Sequence, residues 1–109
     1  MATLRIEHPI RDLETWLGAF GQFAEARQKG GVLTHRIYQS VEDDHYILID
    51  LDFEAIEQAE RFRTFLEEKV WSSATASPGL AGRPQARVLI SVETPGRAVS
   101  SDQEGPAIA

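Results

Sequence analysis

The stretch LRIEHPIRDLETWLGAF, residues 4–20, changes from a strand pattern to a helix pattern within a few residues. Its first part alternates apolar and polar residues up to His8, which is typical of a half-buried strand. Asp12 then stands where a helix begins, because its carboxylate can accept from the free N–H groups of the first turn. From there apolar residues recur every three or four positions, which predicts a helix with one buried stripe that includes Trp16. A histidine and a tryptophan therefore flank a tight junction, either as packing residues or as walls of a ligand cleft.

Composition restricts the class of protein. The sequence has 109 residues, enough for one domain, and 26% of them are charged. No apolar run approaches the roughly 18 residues of a membrane-spanning helix, and no signal-peptide pattern opens the chain, so a cytoplasmic location is expected. The formal charge of −6 argues against nucleic acid and anionic membranes as partners. With no cysteine, disulfides, thiolate metal sites and a cysteine nucleophile are excluded.

The remaining patterns complete an α+β fold. Strands are predicted at residues 3–8, 32–40, 45–53 and 85–92, and helices from Asp12 to the Gly30-Gly31 pair and at residues 55–70. This β-α-β-β-α-β order is that of the ferredoxin-like plait, a four-stranded antiparallel sheet, ordered 4-1-3-2, with both helices on one face. Residues 1–92 then form the domain. Residues 93–109 show no periodicity and little apolar surface, which predicts a flexible tail.

Strand parity assigns each side chain to a face of the sheet. The face away from the helices should hold a mixed set: Arg5, Glu7, Arg36, Tyr38, Tyr46, Leu48, Asp50, Arg87 and Leu89. Its acidic and basic residues nearly balance. This face is therefore either a solvated surface, as antiparallel sheets allow, or a polar dimer interface with paired charges.

The same parity predicts a site at one end of the sheet. His8 ends one strand and His45 begins its neighbour, and both share the parity of the apolar face, as does the deeper His35. Trp16 begins the first helix and Trp71 ends the second at that same end, near the small-residue loop at 72–82. An aromatic-walled pocket with a few polar groups is the usual form of a small-molecule site. A planar, weakly acidic or carbonyl-bearing ligand would suit the nearby helix N-terminus.

Each candidate also has a purely structural explanation. Trp16 could be core and Trp71 a plug, while His8 could bond a backbone carbonyl. His45 could lie exposed in the hairpin, and His35 could be a satisfied core histidine. A three-histidine metal site would require His35 to reach the top edge, and no carboxylate has a suitable spacing, so no metal is expected. No phosphate loop or nucleophile elbow is present.

The residues of this junction resemble a known superfamily. His8, Ile10, Asp12, Trp16 and Phe20, followed by GGVLTHRIYQ and HYILIDLDF, are similar to the dimeric α+β barrel superfamily, and most similar to antibiotic-biosynthesis-monooxygenase-like proteins. The resemblance covers about residues 3–92. It implies a homodimer in which two sheets face each other with the helices outside.

The superfamily includes cofactor-free oxygenases and isomerases as well as ligand-sensing domains. The first hypothesis is a monooxygenase or cyclase/isomerase that acts without a cofactor on a small aromatic or polyketide-like molecule. His8 or His45 would be the general base. Trp16 and Trp71 would hold the ring, and the substrate-binding residues would be Trp16, Phe20, His35, Phe62 and Trp71. The alternative is a non-catalytic binding or sensing module. Haem handling is disfavoured because EEKVWSSATAS, residues 67–77, carries no histidine.

Overall fold

The computed structural model describes residues 1–73 and 79–92. The predicted tail at 93–109 and part of the predicted loop, residues 74–78, lie outside the described residues. The elements follow in the order β1 (Ala2–Pro9), α1 (Leu13–Gln22), α2 (Ala24–Lys29), β2 (Thr34–Gln39), β3 (Tyr46–Phe53), α3 (Ile56–Phe65), a π-helical turn (Leu66–Val70) and β4 (Gln85–Ile90). Within these residues, no helix is both long and apolar enough to cross a membrane.

The strands form one antiparallel sheet in the order β2-β3-β1-β4, which confirms the predicted ferredoxin-like plait. In the register, His8 lies opposite Ile47 and Leu4 lies opposite Leu51. Their side chains point toward the helices and are buried. The core is therefore the layer between this face and the helices, where Trp16 and Phe62 meet the sheet.

Both predicted helices end where expected, at Gly30 and at Val70, but neither is a continuous α-helix. The helix predicted from Asp12 to Gly30 is broken at Phe23, which ends α1 and precedes α2 with φ −99° and ψ 16°. Gly18 and Gly21 weaken this stretch, and Phe23 N–H donates to the Phe20 carbonyl at 3.2 Å, a tighter turn than an α-helix makes. The second predicted helix continues through the π-helical turn instead of remaining α-helical to its end.

Asp12 caps α1 as predicted. Its Oδ1 accepts from the Thr15 N–H at 2.8 Å, and its Oδ2 accepts from the Thr15 hydroxyl at 2.9 Å. These bonds lower the pKa of Asp12 and fix the angle at which the chain turns from β1 into α1. The junction therefore brings His8 and Trp16 to a ring-centroid separation of 6.1 Å.

The opposite face of the sheet carries a network of charged pairs. Arg5 binds Asp50 through two bonds of 2.8 Å, from Nε and from Nη2. Arg36 Nη1 donates to Asp52 Oδ2 at 2.8 Å, and Thr3 and Thr34 also donate to Asp52. Both aspartates are buried beneath the arginine side chains. Four of the charged residues on this face, Arg5, Arg36, Asp50 and Asp52, are thus paired within one chain.

Candidate functional site

A cavity of about 80 Å³ lies between the sheet and the helices. Its wall is mainly apolar and includes five aromatic side chains: Trp16, Phe20, Phe23, Phe62 and Trp71. Ile6 and Ile49 form the sheet side. The ionisable side chains on its wall are His8 and Arg27. Because a single water needs roughly 10–15 Å³ of such space, the cavity has room for several water-sized groups, about the size of one aromatic ring.

His8 is 2% exposed and is held in one orientation. Its Nδ1 lies 2.9 Å from the Pro9 carbonyl oxygen. A carbonyl can only accept, so Nδ1 carries the proton and Nε2 keeps a lone pair when the ring is neutral. Burial lowers the pKa of His8, and its bond to Pro9 opposes that shift only in part. The ring is therefore a neutral base at the wall of the cavity at pH 7.

A row of rings extends from His8 along the helix side of the cavity. Trp16 stacks on Phe20 with ring centroids 5.0 Å apart and planes 27° apart. Helical spacing explains the row, since residues four apart lie on one face of α1. The guanidinium carbon of Arg27 lies 3.7 Å from the Phe20 ring centroid, so the row ends in a cation–π contact.

Arg27 also donates from Nη1 to the Phe20 carbonyl. This carbonyl belongs to the last turn of α1 and also accepts from the Phe23 N–H. Burial lowers the pKa of Arg27. The break at Phe23 turns α2 so that Arg27 can reach back to α1. Arg27 was not among the residues predicted for the site. The sequence feature that could have identified it is a positive charge within an otherwise apolar helical stripe.

The π-helical turn completes the wall at the end of α3. The Trp71 N–H donates to the Leu66 carbonyl at 2.7 Å, five residues back, as a π-helix requires. Leu66, Val70 and Trp71 all line the cavity. Wider π-helical spacing thus places three side chains on one surface where an α-helix would turn one of them away.

Residues 79–82 pack against the junction from the other side. The Arg11 N–H donates to the Gly79 carbonyl at 2.9 Å, and the Ala81 N–H donates to the Pro9 carbonyl at 3.2 Å. A Cβ at Gly79 would lie 2.7 Å from the Trp16 Cα, so only glycine fits there. Pro9 therefore accepts from both His8 and Ala81, which couples the histidine to this segment.

The inward orientation expected for His45 is wrong. Strand β3 begins at Tyr46, and His45 precedes it in the hairpin with its side chain 59% exposed. Its Nδ1 lies 3.0 Å from Asp44 Oδ1, while its carbonyl accepts from the Ile10 N–H at 2.7 Å. Only the backbone of His45 thus meets the end of β1. Strand parity predicted the wrong orientation because alternation holds only for residues paired within the sheet, and His45 lies just outside β3.

The remaining predicted residues divide between the cavity and its edge. Trp16, Phe20, Phe62 and Trp71 line the cavity together with His8. His35 faces the helices, with its ring 5.2 Å from that of Phe20 in an edge contact, but it is exposed and does not line the cavity. Strand β2 is at the edge of the sheet, where the helices cover less of it.

One group of potential metal ligands occurs among residues 1–73 and 79–92. Asp43, Asp44 and His45 have ligand atoms within 4.8 Å of one another, and all three are exposed. They lie in the hairpin between β2 and β3 and do not line the cavity.

No family model matches this sequence, and no curated protein matches it. Solved structures do match. SnoaB, a cofactor-independent oxygenase from Streptomyces nogalater, is similar over 85% of this chain and 94% of its own, with a TM-score of 0.63 and 14% identity. A dimeric ferredoxin-like protein from an uncultured marine organism is similar over 84% of this chain and 95% of its own (TM-score 0.62, 10% identity).

An antibiotic biosynthesis monooxygenase is similar over 85% of this chain and all of its own (TM-score 0.60, 7% identity). The predicted likeness to ferredoxin-like, antibiotic-biosynthesis-monooxygenase-like structures is therefore confirmed. At these identities the likeness concerns the fold.

Proposed function

We propose that the cavity binds a small, single-ring or similarly sized organic molecule and that His8 removes a proton from it without a cofactor. The observation that carries this proposal is a neutral, buried imidazole whose Nδ1–H is committed to Pro9. The breaking C–H or O–H bond leaves its electron pair on the ligand, as an enolate or phenolate, and the proton moves to Nε2. SnoaB, an oxygenase of the same fold, supports this class of reaction.

The size of the cavity favours a small ligand over a polyketide. About 80 Å³ lies below the 300–1,000 Å³ typical of drug-sized pockets. A polycyclic substrate would therefore require Trp71 or residues 79–82 to move. In an oxygenase, dioxygen would be the co-reactant that accepts electrons from the carbanion, whereas an isomerase would return the proton to another carbon.

Proton abstraction can be measured with cyclopentanone, a single-ring probe whose α-CH₂ groups exchange with solvent. We expect the protein to accelerate its hydrogen–deuterium exchange in D₂O, followed by NMR. His8→Asn should reduce the acceleration at least about 100-fold, because the amide can still donate to Pro9 but is not a base. The acceleration should increase with pH through the lowered pKa of His8, since only the neutral ring accepts a proton.

The matched control is His45→Asn, which alters an exposed histidine and should change exchange less than about twofold. Thermal melting of both variants shows whether each remains folded. Equal exchange by wild type and His8→Asn would contradict the role of His8. A wild type that binds cyclopentanone without accelerating exchange would support the binding or sensing alternative. An oxygen electrode then separates an oxygenase from an isomerase.

We further propose that two chains pair through the outer face of their sheets. Tyr38, Leu48 and Leu89 supply apolar surface on this face, and Tyr38 is 46% exposed. Arg87 lies directly opposite Arg5 with no ion pair among the described residues, an arrangement that a carboxylate from a second chain would relieve. The dimeric ferredoxin-like protein of the same fold supports this arrangement.

Sedimentation equilibrium tests the dimer. Wild type should have the mass of two chains, and Leu89→Arg should shift the equilibrium to one chain, because it adds a third positive charge beside Arg5 and Arg87. Val41→Arg is the control, since Val41 is fully exposed in the hairpin. A monomeric wild type would contradict the proposal, as would an intact Leu89→Arg dimer.

A further inference from the structure

Arg27 carries a positive charge with no counter-ion. Among residues 1–73 and 79–92, no carboxylate lies within ion-pair distance of its guanidinium, and burial is the cause of its lowered pKa. Arg5 and Arg36, two half-exposed arginines of the sheet, each bind an aspartate. This contrast distinguishes Arg27 as a cation placed at an apolar cavity and left unneutralised.

We propose that Arg27 binds an anionic group of the cavity ligand, so that the ligand is a small aromatic carboxylate or a similar organic acid. This inference rests on the proposed function, because it concerns the ligand of the same cavity. One acceptor, the Phe20 carbonyl, occupies Nη1, and a guanidinium has five N–H donors. The remaining donors suit the two oxygens of a carboxylate, which a guanidinium can bind in a bidentate manner.

The row of rings separates the two polar ends of the site. His8 contacts Trp16, Trp16 stacks on Phe20, and Phe20 carries Arg27 on its face. A ring that packs along this row would direct its anionic group toward Arg27 and an acidic proton toward His8. Arg27 would thus be a specificity-determining residue that selects and orients the ligand, while the proton acceptor remains His8.

The apolar surroundings of Arg27 should make the cavity selective for anionic ligands. A neutral ligand that filled the cavity would remove water from the guanidinium and return no counter-charge, which is costly in an apolar site. An anion provides the counter-charge and accepts from the free donors. Acids should therefore bind better than their neutral isosteres, and the difference should depend on the charge of residue 27.

Benzoate and benzamide are suitable probes, because they share a ring and nearly the same shape but differ in charge. Both tryptophans of the chain line the cavity, so intrinsic tryptophan fluorescence reports on binding there. Trp71 also borders a surface groove that contains Arg63 and Arg87, and the comparison with Arg27→Met separates the two sites. We expect benzoate to bind at least about tenfold more tightly than benzamide at pH 7. Arg27→Met should weaken benzoate binding about tenfold and leave benzamide within about twofold. Arg27→Lys, which keeps the charge, should retain most of the preference.

A purely structural role for Arg27 predicts a different result: Arg27→Met would weaken both probes equally, and that outcome overturns the proposal. Equal affinity of wild type for benzoate and benzamide also overturns it. If cyclopentanone exchange still depends on His8 in that case, the proposed function stands and only the anion assignment fails. If neither probe alters the fluorescence up to its solubility limit, the anion assignment fails. Absence of cyclopentanone exchange would remove the proposed function as well.

Discussion

The two faces of the sheet stabilise the same strands by different means. On the inner face, β3 buries Ile47, Ile49 and Leu51 against the helices. On the outer face, the same strand presents Asp50 and Asp52 to arginine partners. The inner face depends on burial of apolar area, which is insensitive to pH, whereas the outer face depends on charges that can titrate. The cavity occupies the inner face, where a single histidine and a single arginine are the polar exceptions among the described lining residues.

The largest effect is expected from truncating the inner face. Leu51→Ala should lower the free energy of unfolding by about 2–5 kcal/mol, because Leu51 is 2% exposed and its removal leaves a void. Leu48→Ala on the outer face of the same strand should cost about 1 kcal/mol in the monomer, since Leu48 is only partly buried. Urea unfolding of the two variants measures the difference.

The dependence of stability on protein concentration should further distinguish the two faces. If two chains pair through the outer face, the cost of Leu48→Ala should depend on concentration, and that of Leu51→Ala should depend on it much less. Equal losses of unfolding free energy for the two variants at every concentration would contradict the proposed difference between the inner and outer faces.

A smaller effect is expected from the outer network at Asp52. The Arg36 guanidinium, with help from Thr34 and Thr3, lowers the pKa of Asp52 to about 2 from its ordinary value of 3.8. Its folded pKa lies below its unfolded pKa, so the carboxylate stabilises the fold above pH 4, and this contribution is lost as the pH falls toward 2. Asp52→Asn should therefore cost about 2 kcal/mol at pH 7.

The difference between wild type and Asp52→Asn should shrink by about 1 kcal/mol at pH 3, as measured by urea unfolding at pH 7, 4 and 3. Glu42→Gln, an exposed carboxylate in the hairpin, is the control and should change stability by less than about 0.5 kcal/mol at each pH. A difference that stays constant from pH 7 to pH 3 would show that the network contributes through shape and not through charge.

Alternation within strands predicted most of the fold. Leu4, Ile6 and His8 were assigned to the inner face by parity, and the register confirms all three. Parity gave the wrong orientation for His45, because one residue beyond the ladder the backbone turns and the rule no longer holds. A sequence does not show where a ladder stops when both neighbouring residues, here His45 and Tyr46, are compatible with a strand.

Local irregularities were the harder part of the site to predict. The apolar stripe from Trp16 to Arg27 continues without interruption in the sequence, yet the helix breaks at Phe23 and brings Arg27 back to Phe20. The π-helical turn that ends at Val70 is equally invisible to a periodicity of 3.6 residues. Both deviations lie beside the cavity, and the residues that follow or form them, Arg27, Leu66 and Val70, line its wall.

The backbone pairing of Gly79 and Ala81 with Arg11 and Pro9 has a kinetic consequence. A molecule that entered between these segments would first break these hydrogen bonds, and release of the Ala81 N–H would leave the Pro9 carbonyl bonded to the imidazole alone. Passage along that route would be slower than diffusion allows, with a steep temperature dependence set by the opening step. The residence time of a bound molecule would then depend on how fast these main-chain hydrogen bonds open, and not on the strength of its side-chain contacts.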